Sequence, residues 1–338
     1  MKTHTDIPPF FSIIIPVYNV QAYIAKCLDS VINQTFRDIE IIIVDDCGSD
    51  RSLEIVKGYA TRDPRIKIIH NPRNLGTFHA RLEGIKNASG KYCLFVDSDD
   101  FIKLETCEIL HLKLQENPSI DLLHFGMSHD PNKWYFPSPL VHQGRLQQEK
   151  MQQFLICNST FQSLCDKAIK TSSLKHSYAQ LLFITPPLNM MEDGIVILVL
   201  SFEIKIYEGI SDKLYFYRHN PQSMTRSISP DAFQKKFQDF KKLFSICEHI
   251  QTLYPQYTHL IQKYTYKIAS ATILSSRHYS PIELEQILTL LKSNNLNKST
   301  LPLPTYLASC LLSMKYFYRW QTLARIAAYI LSFGKIKL

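Results

Sequence analysis

Three carboxylates, Asp97, Asp99 and Asp100, stand close together where the apolar run of "CLFVDSDDF" ends. Burying an unpaired carboxylate costs several kcal/mol, so this charge must reach water or meet a counter-charge. A divalent cation is one such counter-charge. Asp97 and Asp99 share a face in extended backbone, and in the turn that ends a strand one or both can reach a metal. A second acidic pair, Asp45 and Asp46, closes "IEIIIVDD", and a third, Glu192 and Asp193, lies in "MMEDG" between the apolar runs "LLFI" and "IVILVL". Two arginines accompany them, Arg81 in "NLGTFHAR" and Arg218 in "YFYRHN". The planar guanidinium fork suits phosphate oxygens. His219, alone in its Tyr/Arg-rich segment, is read as structural rather than as a metal ligand.

The elements that must position these residues follow from periodicity. "FSIIIPVY", "IEIIIVDD", "IKIIH" and "KYCLFVD" are apolar, β-rich runs and predict four strands. Between them, "YIAKCLDSVINQTF" places Ile24, Cys27, Leu28 and Val31 at helical spacing. "SLEIVKGYA" and "TFHARLEGIKNASG" predict two more helices, the latter stopped by Gly90. Strands alternating with helices predict a doubly wound α/β fold, because a parallel crossover needs a connection of about that length. Ligands bind such sheets beyond the carboxyl ends of the strands. The loops "PVYN", "DDCGSD" and "DSDD" should therefore share one edge.

These ordered motifs resemble the nucleotide-sugar domain of the inverting glycosyltransferases of family two. The likeness runs through residues 11–110, from "SIIIPVYNVQAYIAKCLDSVINQTFRDIEIIIVDDCGSD" to "NLGTFHARLEGIKNASGKYCLFVDSDD". It implies a GT-A fold, that is, a Rossmann-like, mostly parallel sheet with helices on both faces, followed by a smaller α-helical C-terminal region. The domain would span 1–228, with 11–110 as its nucleotide-sugar half and 111–228 as its acceptor side; 229–338 would form the basic helical region. By the same resemblance Pro16 and Tyr18 lie along the nucleotide, and Asp46 accepts the N3–H of uracil. Arg81 approaches the diphosphate. Asp99 and Asp97 form the D-x-D motif that holds Mn²⁺ or Mg²⁺, with Asp97 also available to the ribose. Asp193 is the catalytic base beside Glu192, and Arg218, Ser223 and Thr225 contact phosphate. Inversion needs only a base for the acceptor hydroxyl and a way to stabilise the departing diphosphate, so no covalent nucleophile is required. The family more often has Gly where this chain has Cys47 and Ser where it has Gly48. The flexible point of that turn is therefore expected to move by one residue. "CDKAIKTSSL" resembles a common connecting segment.

The implied partners are a nucleotide-sugar donor, with a uridine diphosphate sugar expected first, and a glycan or lipid-linked glycan acceptor in lipopolysaccharide, capsule or glycoprotein assembly. Two other readings compete. A haloacid-dehalogenase-like phosphatase would use Asp97 as an aspartyl nucleophile but leaves "VDDCGSD" and "NLGTFHAR" without a purpose. A non-catalytic nucleotide-binding scaffold would be indifferent to the loss of Asp193.

Composition sets the outer bounds. An apolar fraction of 45% with 20% charged residues belongs to a globular chain, and 338 residues suffice for one large and one smaller domain. The eight cysteines show no zinc-like spacing and are expected to be reduced core thiols. No signal-peptide-like or membrane-spanning run is seen, so a cytoplasmic location is expected, with peripheral attachment at the inner face of the membrane as an extension. From residue 231 onward there are 14 Lys+Arg against 5 Asp+Glu, net +9; residues 1–230 carry 24 against 25, net −1. The last apolar stretch, 305–338, combines Lys315, Arg319, Arg325, Lys335 and Lys337 with aromatic and aliphatic residues and no acid. Such a stretch either lies on an anionic membrane or packs with its basic face in water. Nucleic acid is not expected, because no reader motif is present.

Overall fold

A computed structural model describes residues 8–131, 139–158, 162–220, 230–275, 280–294 and 296. The chain divides into two compact units, Met1–Pro221 and Gln222–Leu338.

In the first unit the elements run β1 (Phe11–Val17), α1 (Ile24–Ile32), β2 (Ile39–Asp45), α2 (Ser52–Ala60), β3 (Ile66–His70), α3 (Thr77–Asn87) and β4 (Tyr92–Phe95). They continue with β5 (Phe101–Ile102), α4 (Thr106–Glu116), β6 (Leu122–Asp130), β7 (Gly144–Gln147) and α5 (Gln148–Gln152). The unit closes with β8 (Lys167–Lys170), α6 (Thr171–Ala179), α7 (Glu192–Glu203) and β9 (Ile206–Arg218).

The sheet order is β3-β2-β1-β4-β8-β6-β9-β5, with β7 also on β9. β1 pairs in parallel with β2 and β4, and β2 with β3, so the first four strands form the expected parallel half. Every residue of β2 is buried, as a strand covered on both faces requires. Beyond β4 the sheet is mixed: β8 runs antiparallel to both β4 and β6, whereas β6 and β9 are parallel. The chain leaves β1 for β2 and β3 on one side and returns to β4 on the other. That reversal opens a crevice above the ends of β1 and β4.

Ile24, Cys27, Leu28 and Val31 are the buried face of α1, as their spacing predicts. α3 lies close on the sheet because Gly84 has no side chain there: a Cβ would come within 2.4 Å of Ile14 Cγ2. That contact fixes the depth of α3, and with it the depth of Arg81 one turn earlier. Gly90 does not stop this helix. α3 ends at Asn87 with Ala88 already extended. A Cβ on Gly90 would sit 2.6 Å from the Ser12 backbone nitrogen, so this glycine is needed where the chain re-enters the sheet beside β1.

The second unit contains α8 (Pro230–Leu253), α9 (Thr258–Ser275) and α10 (Pro281–Ser293), in keeping with a helical C-terminal region. Phe240 and Leu243 of α8, Tyr264 and Ile268 of α9, and Ile287 of α10 are buried. α10 begins at a reciprocal cap between Ser280 and Glu283. The basic stretch 305–338, like Ser223 and Thr225, lies outside the described residues. No helix among the described residues is long and apolar enough to cross a membrane.

Candidate active site

The carboxylates singled out by sequence converge on one arginine. Arg81 projects from the second turn of α3 with 3% of its side chain exposed. Its Nη2 donates to Asp97 Oδ1 at 2.8 Å. Its Nη1 donates to Glu192 Oε1 at 3.1 Å and to Asp193 Oδ1. Nε has no partner among the described residues. Expected beside a diphosphate, the guanidinium is instead engaged by three carboxylates. Three carboxyl groups thus share a single cation.

Glu192 and Asp193 occupy the first turn of α7, where the helix dipole favours negative charge. Met191 takes a left-handed conformation, φ 55°, immediately before them. Asp193 Oδ2 accepts the Leu164 backbone N–H at 3.0 Å, so both its oxygens are held. Burial pushes the Asp193 carboxyl above its ordinary range, with Asp97 adding to the shift and Arg81 opposing it. Burial and the neighbouring Asp193 push Glu192 further, to about 8. The pair thus holds a proton more readily than free carboxylates do. Asp193 keeps 16% of its side chain in contact with solvent.

The Asp97–Asp100 segment is a tight turn beyond β4, closed by the Asp100 N–H on the Asp97 carbonyl at 2.9 Å. Its acids have separate duties. Asp97 keeps 37% of its side chain exposed. Asp99 Oδ2 accepts from the Asn220 side chain at 2.9 Å. Asp100 is buried and anchors the turn to β9, accepting the Tyr215 hydroxyl and the Arg218 N–H, each at 2.6 Å. The Tyr215 oxygen in turn accepts the Asp97 N–H at 3.1 Å. Burial first, then repulsion from neighbouring aspartates, raises the Asp99 and Asp100 carboxyls. Asp97 and Asp99 offer the carboxylate oxygens that a hard divalent cation takes, but among the described residues no third such side chain joins them, so a Mg²⁺ or Mn²⁺ ion there would take its remaining ligands from a bound phosphate or water. The Arg218 guanidinium lies over the Tyr23 ring, 5.1 Å from its centre, and its charge bears on Asp99. His219 meets Asp130 only through its backbone N–H among the bonds described.

At the other end of the crevice, Asp45 and Asp46 diverge. Asp45 faces His70 Nδ1 at 3.0 Å, whereas Asp46 accepts from the Asn71 side chain and from the Leu75 and Gly76 N–H groups at 2.7 to 2.9 Å. Asp46 therefore folds the 71–76 loop onto the end of β2. Gly76 is required there: its φ is +83°, and a Cβ would meet Asn189 Oδ1 at 2.6 Å. Pro16 is the penultimate residue of β1, and Tyr18 stands 45% exposed just beyond it. The turn after β2 corrects the expectation about its flexible point. The left-handed residue is Cys47 itself, φ 60°, held by an Sγ contact of 2.9 Å to the Asn71 carbonyl, and not Gly48. Cys47 is also exposed, unlike the five buried thiols Cys27, Cys93, Cys107, Cys165 and Cys247.

Asp100, Tyr215, Asn220 and Leu164 are site residues that sequence reasoning did not assign. The Tyr-x-Tyr-Arg segment signalled Tyr215 by type, whereas a backbone N–H such as that of Leu164 leaves no signal.

A model of the glycosyl transferase family 2 domain matches residues 12–177. EpsJ of Bacillus subtilis, an uncharacterized glycosyltransferase, is 34% identical over 256 residues, which cover 68% of each chain. The poly(ribitol-phosphate) beta-glucosyltransferase of Bacillus spizizenii is 47% identical over 97 residues, 28% of this chain and 15% of that one. Against such longer relatives the chain spans a small part of their length. The solved structure of S. aureus TarS 1-349 in complex with UDP-GlcNAc superposes with a TM-score of 0.68 at 20% identity, covering 94% of this chain and 89% of that one. A likeness at that identity is one of fold.

Proposed function

Because the chain belongs to glycosyl transferase family 2, we propose that it moves a sugar, with inversion, from a nucleoside diphosphate donor, a uridine diphosphate sugar first, to a hydroxyl of a bacterial surface glycan. The observation that carries this reading is Asp193: a largely buried carboxylate at a helix N-terminus, fixed through both oxygens and linked through Arg81 to the acidic turn. Each Asp193 oxygen keeps a lone pair after its protein bond, and an acceptor hydroxyl gives up its proton there as it attacks the sugar.

Pro16, Tyr18 and Asp46 are proposed to line the nucleotide, with the remaining acceptor capacity of Asp46 taking the uracil N3–H. Arg218, movable from its place over Tyr23, meets the diphosphate, and Arg81 acts on it from beneath by keeping Asp97 in place. Asp99 and Asp97 would hold Mn²⁺ or Mg²⁺. A divalent ion, when bound, neutralises charge on the leaving diphosphate. In support, a solved relative at 14% identity is a mannosyltransferase in complex with GDP-Man and Mn2+, and TarS is known in complex with UDP. Similar proteins include a poly(ribitol-phosphate) beta-glucosyltransferase and a minor teichoic acid biosynthesis protein, which favours wall and capsule polymers over lipopolysaccharide as the acceptor class. The reading extends to peripheral contact of 305–338 with anionic lipid, which flotation of the full chain with anionic liposomes tests.

The deciding experiment is calorimetric titration with UDP, GDP and CDP, each with Mn²⁺ and again with EDTA, on wild type and Asp99→Ala. Metal-dependent UDP binding that disappears in the variant is expected. A folded protein that binds none of the three nucleotides would overturn the donor-site assignment.

A further inference from the structure

The segment "CDKAIK" takes no part in the site described so far, yet it buries a lysine. Lys167, at the start of β8, is 2% exposed, and its neighbour Asp166 is fully buried. Lysines are almost never this deep unless paired, so their partners are informative. The Lys167 ammonium donates to Asp166 Oδ1 and, at 2.6 Å, to the Ser163 carbonyl oxygen. Asp166 Oδ2 faces His124 Nε2 at 3.1 Å, and His124 Nδ1 faces the Tyr207 hydroxyl at 2.9 Å. Burial works against the Asp166 carboxylate, but Lys167 and His124 hold it at about 2, so it is ionised throughout the working range.

The Ser163 carbonyl and the Leu164 N–H are the two ends of one peptide group. A trans peptide is planar, with its C=O and N–H pointing in opposite directions. At one edge of the peptide the oxygen accepts from Lys167; at the opposite edge the N–H donates to Asp193 Oδ2 at 3.0 Å. We propose that Lys167 is a positioning residue for Asp193: anchored by Asp166 and His124, it holds and polarises the 163–164 peptide that fixes Oδ2, the oxygen of the base that Arg81 does not reach. The inference rests on reading Asp193 as that base. Arg81 then constrains one oxygen from α3 and Lys167, through the peptide, the other from β8. Outer partners of this kind usually matter to function nearly as much as the groups they orient.

The groups facing Asp193 are Arg81 from α3, Asp97 from the turn after β4, Glu192 on its own helix, Cys165 and Lys167 around the start of β8, and Tyr178 from α6. Among these, Lys167 is the second cation and favours the ionised base.

The test is NMR of the full chain labelled with ¹³C-aspartate and ¹⁵N-leucine, followed across pH in wild type, Lys167→Met and Asp166→Asn. In wild type the Leu164 amide is expected to follow the Asp193 titration. Lys167→Met should raise the Asp193 midpoint by about one pH unit, the size of effect a lost nearby opposite charge produces. Asp166→Asn removes a negative charge and keeps the ammonium, so it should not raise that midpoint. If both variants leave the midpoint unmoved, or both raise it alike, the cluster is only structural and the proposal fails. Should Lys167→Met not fold, a wild-type Leu164 amide that ignores the Asp193 titration overturns the bridge by itself. The base assignment is tested separately by turnover of Asp193→Asn, so the two readings fail independently.

Discussion

Replacing Arg81 by Met would strip the site of the cation that three carboxylates share. Asp97 is 37% exposed and can recover much of its loss from water, whereas Glu192 and Asp193 are 12% and 16% exposed and cannot. Removing one partner of a buried pair typically costs about 3–5 kcal/mol, and that range is expected for Arg81→Met at pH 8.5. The loss must depend on pH. Both acids already titrate above their ordinary values in the folded protein, Glu192 at about 8, and losing Arg81 drives them higher. A carboxyl whose folded-state pKa is raised binds its proton more tightly when folded, so its contribution to stability falls as pH rises through that pKa. At pH 5.5 protons take the place of the missing guanidinium, and the destabilisation should shrink to about 1–2 kcal/mol. Urea unfolding of both proteins at pH 5.5 and 8.5 reads this difference directly. A penalty below about 1 kcal/mol at pH 8.5, or one equal at the two pH values, would refute the cage as an electrostatic unit.

Three further outcomes are expected. Asp193→Asn should keep metal-dependent nucleotide binding within about twofold while turnover falls by about 10²-fold or more, as measured by calorimetry and UDP release; retained turnover would remove Asp193 as base. Glu40 is the second residue of β2, and burial there raises its carboxyl but Lys67, Ser12 and Ser89 together bring it down to about 2. Glu40→Gln should therefore lose about 2–3 kcal/mol at pH 7, and the gap to wild type, measured by urea unfolding, should close as pH falls from 4.5 toward 2. Gly84→Ala should destabilise by about 1–3 kcal/mol through overpacking against Ile14, and should weaken nucleotide binding because α3 carries Arg81 away from Asp97.

The parallel half was legible in the sequence for a physical reason: strands buried on both faces must be continuous apolar runs, and β1 and β2 are such runs. Their loops followed, because the sheet places all its carboxyl ends on one edge. The acidic residues 97, 99, 192 and 193 were legible by type, since charge beside apolar runs demands a partner. What joins them was not. Arg81 was read toward phosphate because its sequence neighbours carry no hint of carboxylates 111 and 112 positions away. The insertion of β8 between β4 and β6 depends on pairings far apart in the chain, to which local periodicity is blind. Leu164 acts through its backbone, and any residue but proline offers the same N–H. Cys47 shows the converse limit: a glycine preference predicted the turn, yet the left-handed position stayed where it was and a cysteine occupies it.

The strand order also dictates a schedule of assembly. β1 to β4, Arg81 and Asp97 all lie before residue 98, and chains fold from the N-terminus as they leave the ribosome. The nascent parallel half can close with Arg81 and Asp97 as a balanced pair. Glu192 and Asp193 join the same guanidinium only after the segment that inserts beside β4 has been made, and that segment carries the Leu164 amide with it. The guanidinium thus meets its carboxylates in two instalments, and the acidic turn that carries Asp97 is locked last, once Tyr215 and Arg218 of β9 have been made.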